Sequence, residues 1–257
     1  MVCKMGRPKI DRTGETRVNN DGEKMVIIKY GHWDDIDIQF EDGTIVEHRE
    51  YGAFKAGRIK NPMTPIICGV GYFGIGEFKS INENGKITKC YYTWRNMYQR
   101  CYDPKCQEKC QTYKGCTVCE EWHNYQEFVK WDNENYYEIE NERMMLDKDI
   151  LCKGNKVYSP NTCIYVPQSI NALFIKRDNE RGELPIGVTK KGNKFEVQLS
   201  KGNERIYLGI YATVEEAFLA YKIAKEQYIK EVAEKYKDKI PYRLYEAMMN
   251  YEVEIDD

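Results

Sequence analysis

The sequence predicts an α+β protein made of several small domains. Strand-like alternation and turn signals occupy the first sixty residues and return between residues 186 and 211, whereas segments in between carry apolar residues at helical spacing. With 257 residues, the chain can form one large domain or two to three small ones. We expect a basic tail at 1–12, a small β-barrel at 13–62, a linker at 63–88, a domain of helices followed by strands at 89–178, and a three-stranded sheet packed on a helix at 183–257.

The overall charge argues against attraction of the whole chain to nucleic acid. The net charge is −2 with 31% charged residues, so any binding to DNA requires a local basic surface. The sequence contains no apolar run of membrane-spanning length, and its start lacks the apolar segment of a signal peptide. We therefore expect a cytoplasmic protein that does not bind membranes.

The predicted barrel is based on a series of short β-favouring runs. A run at 25–30 is followed by alternating apolar and polar residues at 36–40. The pair Asp42-Gly43 is a strong signal for a hairpin turn into the next run, at 44–46. Three or four strands in about fifty residues predict a small β-barrel.

Two segments on either side of this module carry weaker signals. The tail is basic around a Gly-Arg-Pro at residues 6–8, which resembles the centre of a hook that enters the DNA minor groove. The alternative, which we favour, is a disordered basic start. The stretch 63–88 is rich in glycine and has little periodicity, so we expect a linker or irregular loop.

Two amphipathic helices are predicted at 90–101 and near 119–132, with aromatic residues on their buried faces. Five of the ten cysteines lie between residues 101 and 119, and two of them form a C-x-x-C pair. Four thiolates of this kind can hold a structural Zn²⁺. The alternative is that they are small apolar core residues, and disulfides are not expected in a reducing cytoplasm. The candidate zinc ligands are Cys101, Cys106, Cys110, Cys116 and Cys119.

Residues 146–175 predict a strand, a long polar loop, a second strand and a helix. The first strand runs into Asp147, and the second covers 163–166. Pro167 suits the first turn of the helix that contains Asn171. Such an arrangement can gather a carboxylate and an amide around a hard divalent ion, for example Mg²⁺ or Mn²⁺.

This stretch resembles the HNH, or ββα-metal, nucleases, particularly those of bacteriophages with an Asp-Arg-Ile-Asp start and a Ser-Pro-Glu-Asn-Cys centre. The corresponding segments here are Leu-Asp-Lys-Asp-Ile and Ser-Pro-Asn-Thr-Cys, and the resemblance covers about 90–176. In that family an Asp and a residue of the helix bind the metal, a His activates water, and a central Asn orients the His. The resemblance therefore implies Asp147 and Asn171 as metal ligands and Asn161 as the central asparagine.

The chain departs from the family at the catalytic position, where Lys148 replaces the His. A lysine is protonated near neutral pH and acts as a base only if burial or nearby cations lower its pKa. Asp149 is the alternative base, and strand alternation would place it on the same face as Asp147, where it could be a second ligand. The catalytic candidates are therefore Lys148, Asp149 and Asn161, and the opposing hypothesis is a nuclease fold without the chemistry.

The segment 183–257 predicts a sheet that binds double-stranded DNA. Residues 194–200 alternate strictly, and Thr213 begins a helix with a capping box. Between residues 186 and 211 five Lys or Arg stand against two Glu, a local charge of +3. Because a narrow sheet with long basic side chains can enter the major groove, we expect DNA contacts from Lys190, Lys194, Gln198, Arg205 and Tyr207.

Residues 184–229 resemble the plant ethylene-response-factor and integrase-type DNA-binding domain, with Leu208-Gly209, Thr213, Glu216-Ala217 and Ala220-Tyr221 in matching positions. Both resemblances imply DNA. The first hypothesis is a homing-like HNH endonuclease that hydrolyses phosphodiester bonds with a divalent metal at a site chosen by the C-terminal sheet. The second is a catalytically inactive DNA-binding protein of the same fold. A third, a phage counter-defence or regulatory protein, has no positive support in the sequence.

Overall fold

The computed structural model describes residues 10–175, 184–202 and 204–255, and it has the expected mixture of helices and strands. Within these residues there are seven α-helices and four small sheets. The chain divides into two compact units. Unit 1 comprises residues 1–80 and 123–126, and unit 2 comprises residues 81–122 and 127–257. Most of the predicted basic tail lies outside the described residues.

Unit 1 is built on an antiparallel sheet of β1 (Thr16–Val18), β2 (Lys24–His32), β3 (Asp35–Phe40) and β4 (Ile45–Arg49), in that order. The predicted hairpin between β3 and β4 is confirmed. Gly43 makes the turn at φ 87°, and the backbone N–H of Thr44 donates to Asp42 Oδ1 at 2.9 Å. A left-handed φ of this kind favours glycine because it carries no Cβ.

The predicted closed barrel is wrong, because in the described structure the sheet is open, with β1 and β4 at its edges. Strand β1 has only three residues, all exposed, so it offers little backbone for closing a cylinder. The apolar face is covered by α1 (Tyr51–Lys55) instead. Phe54 of this helix is fully buried against Ile27, Ile38 and Phe40, and a helix on one face of a sheet suffices to make a core.

Part of the predicted linker is an ordered loop of unit 1, and its glycines permit close approach. A Cβ at Gly74 would lie 1.9 Å from Asn124 Oδ1, and a Cβ at Gly76 would lie 2.3 Å from Gln126 Oε1. The same Gln126 side chain accepts a hydrogen bond from the Phe78 N–H at 3.0 Å and donates to the Phe78 carbonyl at 3.1 Å. These glycines therefore serve the packing of the loop.

Unit 2 contains the predicted aromatic core. The helices of this region are α2 (Lys89–Tyr102), α3 (Pro104–Lys109) and α4 (Tyr125–Asn135), and a 3₁₀ turn at Glu120–His123 delays the start of α4. Trp94 and Trp122 are completely buried. Trp94 Nε1 donates to the Trp122 carbonyl at 2.8 Å, and the rings of Trp122 and Trp131 lie 4.7 Å apart. The aromatic stripes are thus core, as expected.

The predicted order of strand, loop, strand and helix is confirmed. Strand β6 (Met144–Asp147) pairs antiparallel with β8 (Ile164–Pro167), and α5 (Gln168–Asn171) follows at once. Asp147 lies opposite Ile164 at the last pair of this ladder. The loop contains β7 (Val157–Tyr158), which pairs in parallel with β5 (Thr117–Val118). This pairing connects the cysteine-rich segment to the loop that follows Asp147.

The C-terminal module also has the predicted architecture. Strands β9 (Val188–Lys191), β10 (Lys194–Lys201) and β11 (Glu204–Tyr211) form an antiparallel sheet with β10 in the centre, packed on α6 (Val214–Tyr236). Thr213 Oγ1 accepts from the Glu216 N–H at 3.2 Å, and the Glu216 carboxylate accepts from the Ala212 N–H. The capping box therefore forms with its return bond one residue earlier than in the standard motif. Helix α7 (Tyr242–Met249) ends the fold.

The ββα segment and the C-terminal helices share one hydrophobic core. Ile170 of α5 is buried together with Ile229 and Ala233 of α6 and with residues of α7. The first half of α6 packs on the sheet instead, through Ala217 and Tyr221. A single continuous helix therefore contributes to both cores, and the two segments predicted as separate domains are joined through it.

Candidate functional site

Asp147 is held at the end of β6 by the turn that follows it. Its Oδ1 atom accepts hydrogen bonds from the backbone N–H groups of Asp149, at 2.9 Å, and Ile150, at 2.8 Å. Burial and then the neighbouring Asp149 carboxylate raise the pKa of Asp147 to about 6. No hydrogen bond among the described residues uses Asp147 Oδ2, so this atom is available to a cation. A bound cation would offset the cost of burying the charge and the repulsion from Asp149.

Lys148 is buried, with 5% of its surface exposed, and its Nζ forms an ion pair with Asp149 Oδ2 at 3.1 Å. Because β6 ends at Asp147, the strand alternation expected for Asp149 does not apply, and its carboxylate turns towards Lys148. A lysine ammonium donates hydrogen bonds and has no lone pair with which to accept a proton. The geometry therefore places a fixed cation directly after Asp147.

The two asparagines of the motif are placed differently from each other. Asn161 is exposed, and its backbone carbonyl oxygen accepts a hydrogen bond from Arg243 Nη2 at 2.8 Å. Asn171 is the last residue of α5 and is half-buried. Neither side chain is hydrogen-bonded to Asp147 within the described part of the chain, so their catalytic and metal-binding roles stay predictions.

Asn155 was not among the predicted site residues, although it fixes the main chain beside Asp147. Its Nδ2 donates to the carbonyl oxygens of Lys148 and Val157, both at 2.7 Å. The resemblance implied that Asn161 orients the neighbouring catalytic residue. In the structure Asn155 is placed to do this, because it holds the main chain at Lys148. Its position directly after Gly154, which has φ 78°, is the turn signal that could have identified it.

Arg100 and two tyrosines were also missed, and they surround Lys148. Tyr158 is buried in β7, hydrogen-bonds with the Arg100 guanidinium, and has its ring centroid 6.0 Å from Lys148 Nζ. Arg100 in turn stacks on Tyr113, with its guanidinium carbon 5.2 Å from that ring centroid. Tyr113 lies within electrostatic range of Arg100, Lys148 and Asp147. Two cations and two tyrosines therefore form one cluster, of which Lys148 and Tyr113 lie within electrostatic range of the Asp147 carboxylate.

The predicted zinc ligands do not come together in the described structure. In the described structure no three of the candidate thiols bring their sulfur atoms within 4.8 Å of one another. Cys101 is turned into the core by α2, whereas Cys110 lies on the surface. Burial raises the pKa of the Cys119 thiol, which opposes the thiolate form that zinc requires. The two remaining candidates, Cys106 and Cys116, do not bring the sulfur atoms into a tetrahedral arrangement either.

The strand register defines the sheet face that points away from α6, which we call the open face. Val197 and Leu199 are buried against the helix, so the alternate residues of β10 and their cross-strand partners lie on the opposite side. The open face carries Thr189, Lys191, Lys194, Glu196, Gln198, Ser200, Arg205, Tyr207 and Ile210. Four of the five predicted DNA contacts are among them.

The exception is Lys190, which pairs with Phe195, a residue of the core face. Its expected place on the open face is taken by Lys191. Lys191 forms an ion pair with Glu196, and Glu196 also accepts a hydrogen bond from Gln198 Nε2 at 2.8 Å. The open face therefore has three cations and one carboxylate, a net charge of +2, and exposes the Tyr207 ring.

One group in unit 1 could hold a metal ion and was not predicted. Asp35, Asp37 and His48 each offer a ligand atom within 4.8 Å of the others. Asp37 is already paired with Lys29 at 3.2 Å, and His48 Nδ1 lies 2.8 Å from Asp35 Oδ1. These contacts compensate the carboxylates internally, and the three residues are too scattered in sequence to form a motif.

Comparison of the chain with known protein families, with curated proteins and with solved structures finds no match. Among the described residues, no helix has both the length and the apolar composition needed to cross a membrane.

Proposed function

We propose that this chain is a metal-dependent DNA endonuclease of the ββα-metal type. The observation that supports this most strongly is the position of Asp147, at the end of a strand whose antiparallel partner leads directly into α5. Lys148 lies within electrostatic range of this carboxylate, and Arg100 belongs to the same cluster through Tyr113. A carboxylate able to hold a metal, bordered by cations, suits an anionic phosphodiester substrate.

Mg²⁺ or Mn²⁺ fits the available donors. Asp147 would hold the ion through its carboxylate and Asn171 through its amide oxygen, and such an ion keeps several waters when the protein supplies one or two ligands. This donor pair contains no His or Cys, so it favours a hard ion over zinc. When bound, the metal stabilises negative charge on the scissile phosphate and on the leaving oxygen.

Asp149 is the proposed general base. Its side chain is 47% exposed, and it is held by Lys148 at 3.1 Å, so it is accessible to water while being fixed in direction. Lys148 then acts as a hydrogen-bond donor and not as the base. Asn155 supports both residues by holding the Lys148 carbonyl.

The open face of the C-terminal sheet is proposed to select the DNA site. Lys194 and Arg205 are exposed and form no ion pair with another described residue, and Tyr207 is 58% exposed beside them. Long basic side chains on a narrow sheet can contact base edges and phosphates in the major groove. Because α6 contributes to the cores of both segments, recognition and cleavage would occur at a constant distance from one another along the DNA.

The second candidate function is DNA binding without cleavage, and one observation favours it. Lys148 occupies the position of the catalytic His, where it is buried and ion-paired, and an ammonium in that state is no base. In this case the ββα segment would serve as a structural support for the sheet.

Incubation of the full chain with phage and host DNA, in the presence of Mg²⁺ or Mn²⁺ and with a chelator as control, tests the proposal. Discrete cleavage products are expected, and Asp147→Ala should abolish them while DNA affinity stays within a few-fold. Lys148→His should raise the rate if residue 148 is at the base position, because an imidazole titrates near neutral pH. Tight, salt-dependent DNA binding without cleavage by the wild type, with either metal, would favour the second function.

A further inference from the structure

We infer that Arg100 forms a subsite that binds a phosphate group beside Lys148 and Asp147. The inference rests on the proposed function, because the phosphate would belong to the DNA bond that the protein cleaves. The two cations come from distant parts of the sequence, one from α2 and one from the residue after β6.

Arg100 is held between two tyrosines and keeps donors that a phosphate could accept from. Its guanidinium carbon lies 5.2 Å from the Tyr113 ring centroid, and the group hydrogen-bonds to Tyr158. A guanidinium group carries five N–H donors, more than its hydrogen bond to Tyr158 uses. A planar fork fixed in this way can bind two phosphate oxygens at once.

The charge of Arg100 is not compensated by a carboxylate within the described part of the chain. The side chains that interact with it most strongly are Tyr113, Tyr158 and Cys106, whereas Lys148 is paired with Asp149. A half-buried cation without an acidic partner costs free energy unless an anion is bound near it. Arg100 is therefore the cation of this site that is available to a ligand.

The two tyrosines explain how the subsite is aligned with the metal-binding carboxylate. Tyr158 contacts both cations, through its hydroxyl to Arg100 and with its ring 6.0 Å from Lys148 Nζ. Tyr113 interacts with both cations and also with Asp147. An anion bound by Arg100 would thus lie next to the carboxylate that holds the metal, where the bound metal would remove the repulsion between carboxylate and phosphate.

Thermal unfolding in inorganic phosphate tests the subsite without requiring any cleavage. The melting temperature of the wild type should rise in phosphate relative to sodium chloride of equal ionic strength, and Arg100→Gln should lose this rise. The matched control is Arg95→Gln, on the same helix but turned away by about 140°, with its guanidinium over Tyr92. Arg95→Gln should keep the rise. An equal rise in Arg100→Gln, or none in the wild type, overturns the subsite.

Cleavage assays then separate the subsite from the proposed function. If the wild type cuts DNA, Arg100→Gln should lower the single-turnover rate about 10²–10³-fold, as expected for loss of one donor to a developing negative charge, with a much smaller change in DNA affinity. Arg100→Lys, which keeps the charge without the fork and serves as the folded variant should the Gln variant unfold, should recover only part of the rate. Wild-type rates in Arg100→Gln overturn the inference. A wild type that never cuts but shows an Arg100-dependent phosphate effect contradicts the nuclease and supports the subsite.

Discussion

Replacing Asp147 by Asn should stabilise the protein while it abolishes metal-dependent cleavage. The substitution removes a carboxylate whose pKa is raised from 3.8 to about 6, first by burial and second by Asp149. It keeps an Oδ1 atom that can accept from the backbone N–H groups of Asp149 and Ile150, now at 2.9 and 2.8 Å. The turn should therefore survive, and only the unfavourable charge is lost.

The raised pKa sets the magnitude of this effect and its dependence on pH. Raising the pKa of Asp147 from 3.8 to about 6 corresponds to about 3 kcal/mol at neutral pH. Partial exposure of the side chain reduces this value, so we expect about 1–2 kcal/mol. Between pH 3.8 and about 6 the folded state binds more protons than the unfolded state, so the stability of the wild type falls as pH rises through that window. The gain from Asp147→Asn should consequently disappear towards pH 4.

Denaturant unfolding of both proteins at pH 4, 5.5 and 7 measures the difference, with the exposed Asp238→Asn as control. Addition of Mn²⁺ at pH 7 should stabilise the wild type and leave Asp147→Asn unchanged, because binding to the folded state alone adds stability. A variant that is less stable than the wild type at pH 7, or a gap that does not shrink on acidification, would refute the reasoning.

Three further predictions concern the sheet, the shared core and the cysteines. Replacing Lys194 and Arg205 by Ala should weaken DNA binding by about 1–3 kcal/mol for each side chain that reads a base edge, and it should reduce the salt dependence of binding. The control Lys190→Ala, on the other face of the sheet, should weaken binding far less. Equal losses of affinity in electrophoretic titrations would contradict the assignment of these residues to opposite faces. Leu244→Ala, at a fully buried position, should lower the free energy of unfolding in urea by about 2–5 kcal/mol. The control Leu219→Ala, at a side chain that is 55% exposed, should change it little. Similar losses in both variants would contradict the shared core. The protein as purified, without added metal, should contain almost no zinc by elemental analysis, and chelation should leave its melting temperature unchanged. A large drop in that temperature on chelation would support the cysteine site.

Several elements were predictable because their signals are local. The Asp42-Gly43 turn, the helix over 90–101 and the alternating strand at 194–200 each depend on spacing within a few residues, and all three are present. The strand, loop, strand and helix around Asp147 followed from the same kind of pattern. The helix near 119–132 begins later, because a 3₁₀ turn occupies its first residues, and periodicity cannot separate the two within a single turn.

The placement of side chains in the candidate site was decided by pairing between distant segments. Strand register put Lys191 on the open face in place of Lys190, since a shift of one residue exchanges the two faces. Lys148 became a buried, paired cation because β6 ends just before it, which its position in a motif does not reveal.

The sequence by itself determined the fold class, the order of most elements, and a carboxylate at the end of a strand that precedes a helix. Tertiary structure alone decided that the N-terminal sheet stays open, that the cysteines do not converge, and that Arg100 reaches the surroundings of Asp147. The physical reason is the range of the interactions. Helix and turn propensities depend on neighbours in sequence, whereas charge pairing and packing depend on which surfaces are buried together, and here that is set by the β5–β7 pairing and the shared helix α6.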